Sequence, residues 1–279
     1  MTIYQKPRGH RRRWRQLVRP LVPRDGKDRL FLDLGCNAGF YMQKAIDRGY
    51  RAQGVEVSPE FIEQASPDLN ILCEDITQYK PPAAYLTLMA CVHYHLTPPQ
   101  VTSVLNQLLS STAYLLVMGR QRGGTTSNPT RKHLMTLLDL WEFVDERDTE
   151  KLYTVLVKNK RVTEFSVGEL YESTIERTKR VNGHTDFFEP FAEFVRLAVA
   201  GKVEEPRKTA FWKYLRKRNF KYRHGLCFWY ENMIKEAQTQ GIRSVLRIEG
   251  NAVTDGHHRL VVAKELGVER LLCSTKRKT

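Results

Sequence analysis

Several features that mark other classes of protein are missing from this chain of 279 residues. Its five cysteines are scattered and include no Cys-x-x-Cys pair: Cys36, Cys73, Cys91, Cys227 and Cys273. Their odd number argues against a disulfide framework, and the missing pairs argue against a zinc site. No apolar run reaches the roughly 18 residues that cross a bilayer, and no apolar signal segment follows the start. We therefore expect reduced thiols, no metal, no membrane span and a cytoplasmic location.

Acidic residues are absent from two strongly basic segments, 1–24 and 207–224. Each segment carries eight Lys and Arg residues, whereas elsewhere 29 basic residues face 31 acidic ones. The net charge of +14 therefore resides in these two segments. Their natural partners are phosphorylated or polyanionic substrates, including nucleic acid, although a solvated face without a partner gives the same pattern. In the second segment aromatic residues alternate with bases, which suits either stacking on nucleotides or packing on a domain.

Apolar periodicity predicts alternating strands and helices over the first 160 residues or so. The predicted strands are 30–34, 51–57, 70–73, 85–92 and 114–118, and the predicted helices are 40–48, 59–65, 98–110 and 133–140. Residues 141–145 and 152–157 are predicted to form a terminal antiparallel pair. Short connections between alternating elements indicate a Rossmann-like α/β fold, in which helices cover both faces of a parallel sheet.

The remaining residues predict a smaller α+β domain. Its predicted helices are 164–181, 187–200, 230–241 and 260–266, and its predicted strands are 244–249, 252–254 and 270–273. Gly241 and Gly267 stand where helices commonly end. The predicted organisation is a basic arm at 1–27, one domain at 28–160 and another at 161–279, which contains the basic aromatic segment 207–230.

The first strand leads into a glycine-containing turn and then a helix, in the run Leu32-Asp-Leu-Gly-Cys-Asn-Ala-Gly-Phe40. Gly35 and Gly39 allow the backbone to approach a ligand closely, and the start of the helix offers free N–H groups. Glu56 lies at the end of the second predicted strand and could accept hydrogen bonds from a ribose diol. The Gly-x-Gly-x-x-Gly spacing of a dinucleotide site is missing.

These residues resemble the S-adenosylmethionine (SAM) motifs of class I methyltransferases. The resemblance implies that Asp33 opens the first loop and that Gly35, Asn37 and Gly39 shape the methionine and ribose side. It implies further that Glu56 binds the ribose hydroxyls, that Asp75 lies beside adenine, and that Ala90 belongs to the cofactor site. Another nucleotide-binding Rossmann-like fold remains the structural alternative.

The segment Ala90-Cys-Val-His-Tyr-His-Leu96 resembles the Val-Leu-Tyr-His-Leu run of small-molecule and tRNA-wobble-uridine methyltransferases. It differs from the Asn/Asp-Pro-Pro-Tyr motif of exocyclic amine methylation, so an oxygen acceptor fits better. His95 and His93 are candidate general bases, although a histidine at the end of a strand is often structural. An acceptor that is already ionised, such as a phosphate or carboxylate, needs no base.

A second strand, turn and helix occur near the end of the chain, with the residues Asp255, Gly256, His257, His258 and Arg259 at the turn. These side chains and the start of the helix offer donors to a phosphate. Residues 228–275 resemble the ParB/sulfiredoxin superfamily, which implies a nucleotide site, with ATP or CTP and Mg²⁺ as possible ligands. His257 stands where sulfiredoxin has its reactive cysteine, which argues against sulfinic acid repair, but a small-molecule kinase is compatible. A turn that only caps a helix is the alternative.

We therefore expect a SAM-dependent methyltransferase that acts on an oxygen of a small molecule, a glycan or a phosphorylated acceptor. The second domain is expected to bind a nucleotide and to act as a kinase or nucleotide hydrolase. An RNA or tRNA methyltransferase that holds nucleic acid on its basic patches is one alternative. A regulatory nucleotide-binding module is another.

Overall fold

The computed structural model describes residues 7–120, 131–138, 141–182, 185–202, 209–217 and 223–275. It divides into two compact units, Met1–Thr163 and Glu164–Thr279. Residues 203–208 and 218–222 of the basic aromatic region lie outside the described residues. None of the described helices is both long and apolar enough to cross a lipid bilayer.

A seven-stranded sheet forms the centre of the first unit, with the order β3-β2-β1-β4-β5-β7-β6. Its strands are β1 Leu30–Leu34, β2 Arg51–Glu56, β3 Ile71–Cys73, β4 Ala84–Ala90, β5 Thr112–Arg120, β6 Trp141–Asp148 and β7 Leu152–Asn159. The first five strands pair in parallel, and β7 runs antiparallel to both β5 and β6. The sheet thus confirms the predicted Rossmann-like α/β architecture and the antiparallel pair at its end.

Among the described residues of this unit, the α-helices are α1 Pro7–Arg13, α2 Phe40–Ile46, α3 Pro59–Ile62, α4 Pro98–Leu108 and α5 Arg131–Leu137. In α4, Val101, Val104, Leu105 and Leu108 are buried, the spacing of a helix with one apolar face. Thr97 and Gln100 form a capping box that fixes where α4 begins. The segment after β4 is thereby held in place.

Residues 7–18 of the predicted basic arm are helical, and part of this segment is packed. After α1, residues Trp14–Val18 form a π-helical turn. Trp14, Leu17, Val18 and Leu21 are buried. Their spacing places them on one side of the segment, so the basic residues between them remain at the surface.

Several predicted elements are wrong in part; the helix predicted from residue 230, for example, begins at Arg223. The strand predicted for 85–92 ends at Ala90, and residues Val92–His95 form a 3₁₀ turn, because Cys91 adopts a left-handed backbone with φ of 63°. The helix predicted from Glu164 begins at Val167, because residues Val162–Ser166 form strand β8. The amide of Val167 donates to the carbonyl of Glu269 at 2.9 Å, which joins the end of β8 to the start of the neighbouring strand.

The second unit contains a four-stranded sheet with the order β10-β9-β11-β8. Besides β8, its strands are β9 Leu246–Glu249, β10 Ala252–Asp255 and β11 Arg270–Thr275. Its helices are α6 Val167–Asn182, α7 Phe188–Val199, α8 Ala210–Lys217, α9 Arg223–Gln240 and α10 His257–Glu265. The core between sheet and helices includes Phe191, Phe194, Phe211 and Ile248, all inaccessible to solvent. Part of the basic aromatic segment therefore packs inside the unit.

Candidate functional site

The backbone of the loop between β1 and α2 is tightly constrained. Its residues Gly35, Asn37 and Gly39 all have positive φ, at 71°, 54° and 75°. A Cβ on Gly35 would lie 2.2 Å from a methyl carbon of Val92, so only glycine fits there. The amides of Gly35 and Cys36 donate to the carbonyl of Val55 at 2.8 and 3.1 Å. These bonds hold the loop against the end of β2.

Glu56 joins the loops that follow β1 and β2. Its Oε2 accepts a hydrogen bond from the amide of Asn37 at 2.9 Å, and its Oε1 accepts one from the amide of Ser58 at 3.0 Å. The side chain is buried, yet the residue borders a cavity. Because each carboxylate oxygen can accept two hydrogen bonds, Glu56 can still accept from a ligand in the cavity.

Asp33 is a buried carboxyl group close to Glu56. It is fully buried, and neither carboxylate oxygen has a hydrogen-bond partner among the described residues. Burial, reinforced by the negative charge of Glu56, raises the pKa of Asp33 to about 8. Asp33 is therefore mostly protonated at neutral pH, and it does not line the cavity.

The cavity beside the loop has a volume of about 1060 Å³. Six of the residues proposed from sequence line it: Gly35, Asn37, Glu56, Asp75, Ala90 and His95. Three others do not: Asp33, Gly39 and His93. The carboxyl ends of β1, β2 and β4 thus converge on one space large enough for a nucleoside and a small acceptor.

Asp75 follows β3 at the edge of this space. Its Oδ1 accepts hydrogen bonds from the amide and the hydroxyl of Thr77, each at 2.8 Å. The residue is exposed, so its second oxygen can accept from a ligand. Ile76 provides apolar lining beside it.

The two histidines after β4 differ in environment. A 3₁₀ helix has three residues per turn, so residues that are two positions apart lie on different sides of it. The side chains of His93 and His95 therefore point in different directions. His93 is fully buried, its ring nitrogens have no hydrogen-bond partner in the described part of the chain, and burial lowers its pKa to about 4. His95 is exposed and borders the cavity. Of these two histidines, His95 lines the cavity and His93 does not.

The sequence did not reveal that the N-terminal helix borders the cavity. His10 and Arg13 of α1 line it together with Phe40 and Tyr41 of α2. The ring of His10 lies 5.6 Å from that of Phe40 and 5.9 Å from that of Tyr41. The apolar spacing from Trp14 onward was the signal that could have shown a packed helix here.

In the second unit, β10 passes through Gly256, with φ of 102°, into α10. His258 points into the core: its Nε2 lies 2.7 Å from the hydroxyl of Tyr230, and its ring is 4.6 Å from that of Phe187. Burial lowers the pKa of His258 to about 4 and also lowers the pKa of His257. Asp255 is exposed and Arg259 is half-buried. Of the two histidines and the arginine, Arg259 is the cation at this turn.

No cluster of three or more His, Cys, Asp or Glu side chains suited to a metal ion occurs within the described ranges. Four cysteines are free thiols: Cys36, Cys73, Cys91 and Cys273. The side chain of Cys227 lies outside the described residues.

No protein-family model and no curated protein matches this chain. Among solved structures, a protein from Pyrococcus horikoshii is 13% identical, with a TM-score of 0.49, over 56% of this chain and 93% of that one. The N-methyltransferase NodS from Bradyrhizobium japonicum, in complex with S-adenosylhomocysteine, is 18% identical, with a TM-score of 0.45, over 55% and 86%. Magnesium protoporphyrin IX methyltransferase from Synechocystis, with bound SAM, is 12% identical, with a TM-score of 0.42, over 49% and 72%. At such low identities and TM-scores, none of these likenesses identifies the reaction of this chain.

The buried carboxyl of Asp33 predicts an unusual pH dependence of stability. Its pKa is higher in the folded state than in the unfolded state, so the folded protein binds the extra proton between about pH 4 and pH 8. The free energy of unfolding should therefore fall as pH rises through this range. Asp33→Asn should remove this loss. The free energy of unfolding of the variant should therefore rise relative to that of the parent as pH increases, by an amount on the order of a few kcal/mol by about pH 8.

Urea denaturation at several pH values between about 5 and 8 measures this difference. Asp68→Asn, which changes an exposed carboxylate, is the control and should follow the parent. If the free energies of unfolding of Asp33→Asn and the parent change with pH in the same way, the pKa of Asp33 is not raised as stated.

Proposed function

We propose that the first unit is a SAM-dependent methyltransferase. The observation that carries this proposal is the position of Glu56, a buried carboxylate that braces the glycine-containing loop and also borders the cavity. A ribose diol offers two donors, and a carboxylate with free acceptor capacity is their natural partner. Gly35 and Asn37 of the loop that Glu56 braces also line this cavity, so a ligand there lies against the backbone of the loop.

The remaining walls suit a nucleoside. Asp75 stands where the exocyclic amine of an adenine could donate to its second oxygen, and the side chain of Ile76 offers apolar surface for the base. The loop lacks the glycine spacing of a pyrophosphate site, and this favours a mononucleoside over a dinucleotide.

The acceptor side lies at the end of β4, around Ala90 and His95. When bound, SAM supplies a methyl group activated by a sulfonium. The residues around Ala90 need to hold the acceptor in line with that group and to exclude water. His95 then accepts the proton of an acceptor hydroxyl, whereas an ionised acceptor needs only positioning.

Replacement of Glu56 tests the cofactor site. In Glu56→Gln, one of the two backbone amides meets an NH₂ group in place of an oxygen, and the ligand loses a charged acceptor. Affinity for S-adenosylhomocysteine should fall roughly tenfold to a hundredfold, as for loss of a hydrogen bond to a charged group. Isothermal titration calorimetry measures this loss.

Glu63→Gln is the matched control, because Glu63 is exposed and does not line the cavity. It should bind as the parent does. The proposal fails if the parent binds ATP or NAD in this cavity and not S-adenosylhomocysteine, or if Glu56→Gln binds as tightly as Glu63→Gln.

The paired histidines test the proposed base. His95→Ala should keep its affinity for S-adenosylhomocysteine but lose roughly 10²-fold or more in methyl transfer, since general base catalysis contributes that much. His93→Ala should instead lower the unfolding temperature, because it leaves a void beside the ring of Tyr94, 4.2 Å from that of His93.

Transfer of labelled methyl groups from SAM into cellular RNA and small-molecule fractions measures the first effect. Thermal unfolding measures the second. Full transfer by His95→Ala would show either that the acceptor is already ionised or that another group takes the proton, and it would remove the role proposed for His95.

A second candidate function, binding of a nucleotide phosphate, belongs to the turn between β10 and α10. The guanidinium of Arg259 folds back over this turn, with Nη1 3.6 Å from the position of a Cβ on Gly256. The amides of His257 and His258 in the first turn of α10 add donors. His258 itself is engaged with Tyr230, so Arg259 is the principal side-chain donor.

Arg259→Ala should weaken binding of ATP or CTP, each with Mg²⁺, roughly tenfold or more, because a charge-assisted contact to phosphate is lost. Lys235→Ala removes one exposed positive charge from α9 and is the control. Calorimetry measures both variants, and phosphate release or transfer tests for kinase or hydrolase activity. If the parent binds neither nucleotide, this second function is excluded, while SAM binding is unaffected.

A further inference from the structure

A second cavity of the first unit, about 830 Å³ in volume, lies beside α1 and α2. Six cationic residues line it: Arg11, Arg15, Arg19, Arg24, Lys44 and Arg48. Asp47 is the one acidic residue among the lining residues that the structure describes, and it already pairs with Lys44 at 2.5 Å. The cavity therefore carries a large excess of positive charge.

The arginines are arranged to attract an anion rather than to stabilise the fold by ion pairs. Arg48 donates to the carbonyls of Arg19 and Val22, at 2.9 and 2.5 Å, and so is fixed. Arg11, Arg15, Arg19 and Arg24 form no ion pair with any residue in the described part of the chain. Burial together with repulsion from Arg19 and Arg24 lowers the pKa of Arg48. A ligand with several negative charges would relieve this repulsion.

The position of this cavity links it to the proposed methyl-transfer site. Phe40 lines both cavities. Arg11 of α1 and Arg15 of the turn that follows line the basic cavity, whereas His10 and Arg13 of α1 line the cofactor cavity. A ligand held by the arginines can thus extend along the same helix toward the acceptor position.

We propose that this arginine cavity binds the phosphodiester backbone of a nucleic acid, a nucleotide of which is the methyl acceptor. The inference rests on the methyltransferase proposed above and specifies its substrate class. Several cations around one concave space match several phosphates, whereas a phosphorylated side chain or small molecule brings one or two charges. Phe40, between the two cavities, is placed to stack on a base. A membrane surface is flat and does not enter such a cavity.

The test measures binding of a fluorescein-labelled single strand of roughly 12 nucleotides, as RNA and as DNA, in the presence of S-adenosylhomocysteine. The variant is Arg15→Gln/Arg19→Gln/Arg24→Gln. The control, Lys80→Gln/Lys151→Gln/Arg161→Gln, removes the same charge from exposed residues of the first unit outside the cavity. Fluorescence anisotropy is recorded at several salt concentrations between about 0.05 and 0.3 M.

The arginine variant should bind at least roughly tenfold more weakly than the control at about 0.15 M salt. The slope of the logarithm of its binding constant against the logarithm of the salt concentration should be smaller in magnitude by about 2, the value for three lost phosphate contacts on a single strand. The RNA and DNA arms identify which nucleic acid binds more tightly. Equal losses in variant and control would overturn the proposal, since binding would then follow net charge alone. Equal binding of inorganic tripolyphosphate, or tighter binding to anionic phospholipid vesicles, would also overturn it.

Calorimetric titration with S-adenosylhomocysteine separates this proposal from the preceding one. The three arginines do not line the cofactor cavity, so the variant should bind S-adenosylhomocysteine as the parent does. Normal cofactor binding without a difference in nucleic acid binding would refute the arginine site alone. Absent cofactor binding in the parent would instead refute the methyltransferase.

Discussion

The candidate site of the first unit depends on one carboxylate, that of Glu56, which accepts from the backbone of two loops. Its bonds to the amides of Asn37 and Ser58 fix the ends of β1 and β2 relative to each other, and the amides of Gly35 and Cys36 add two bonds to Val55. Because a carboxylate accepts more hydrogen bonds than it uses here, the group that shapes the loop is also a group that can bind ligand. The Glu56 side chain therefore both stabilises the loop and is available to bind a ligand.

The buried carboxylate of Glu56 makes ionisation of Asp33 less favourable. A second carboxyl is buried close to Glu56 without a hydrogen-bond partner among the described residues, and the combination of burial and like charge keeps it protonated at neutral pH. Buried polar groups without partners are rare in native proteins and are often found at functional sites. Asp33 does not line the cavity, so a ligand acts on it only through Glu56: a donor bound to that carboxylate would offset part of its negative charge and so lower the pKa of Asp33.

The sequence predicted the elements whose signals are local. The strands and turns that present Gly35, Asn37 and Glu56 follow from apolar runs and glycine spacing, and the antiparallel pair at the sheet end was predicted in the same way. The 3₁₀ turn at Val92–His95 was not predicted, because it depends on the left-handed backbone of Cys91, a residue type with no preference for it. The different orientations of the His93 and His95 side chains therefore could not be predicted from the sequence.

The N-terminal segment shows why charge alone is an incomplete guide. Eight basic residues among the first 24 suggested a basic arm with either a polyanionic partner or a solvated face, but apolar residues between positions 14 and 22 are buried, and side chains from positions 10 to 24 line two cavities. Burial of Trp14 and Leu17 fixes the orientation of α1 and the turn that follows, which leaves Arg11 and Arg15 facing one cavity and His10 the other. The fold thereby holds these arginines at defined positions, although their positive charges repel one another. Arginines held in this way can orient a polyanion, whereas arginines on a free arm would only attract it.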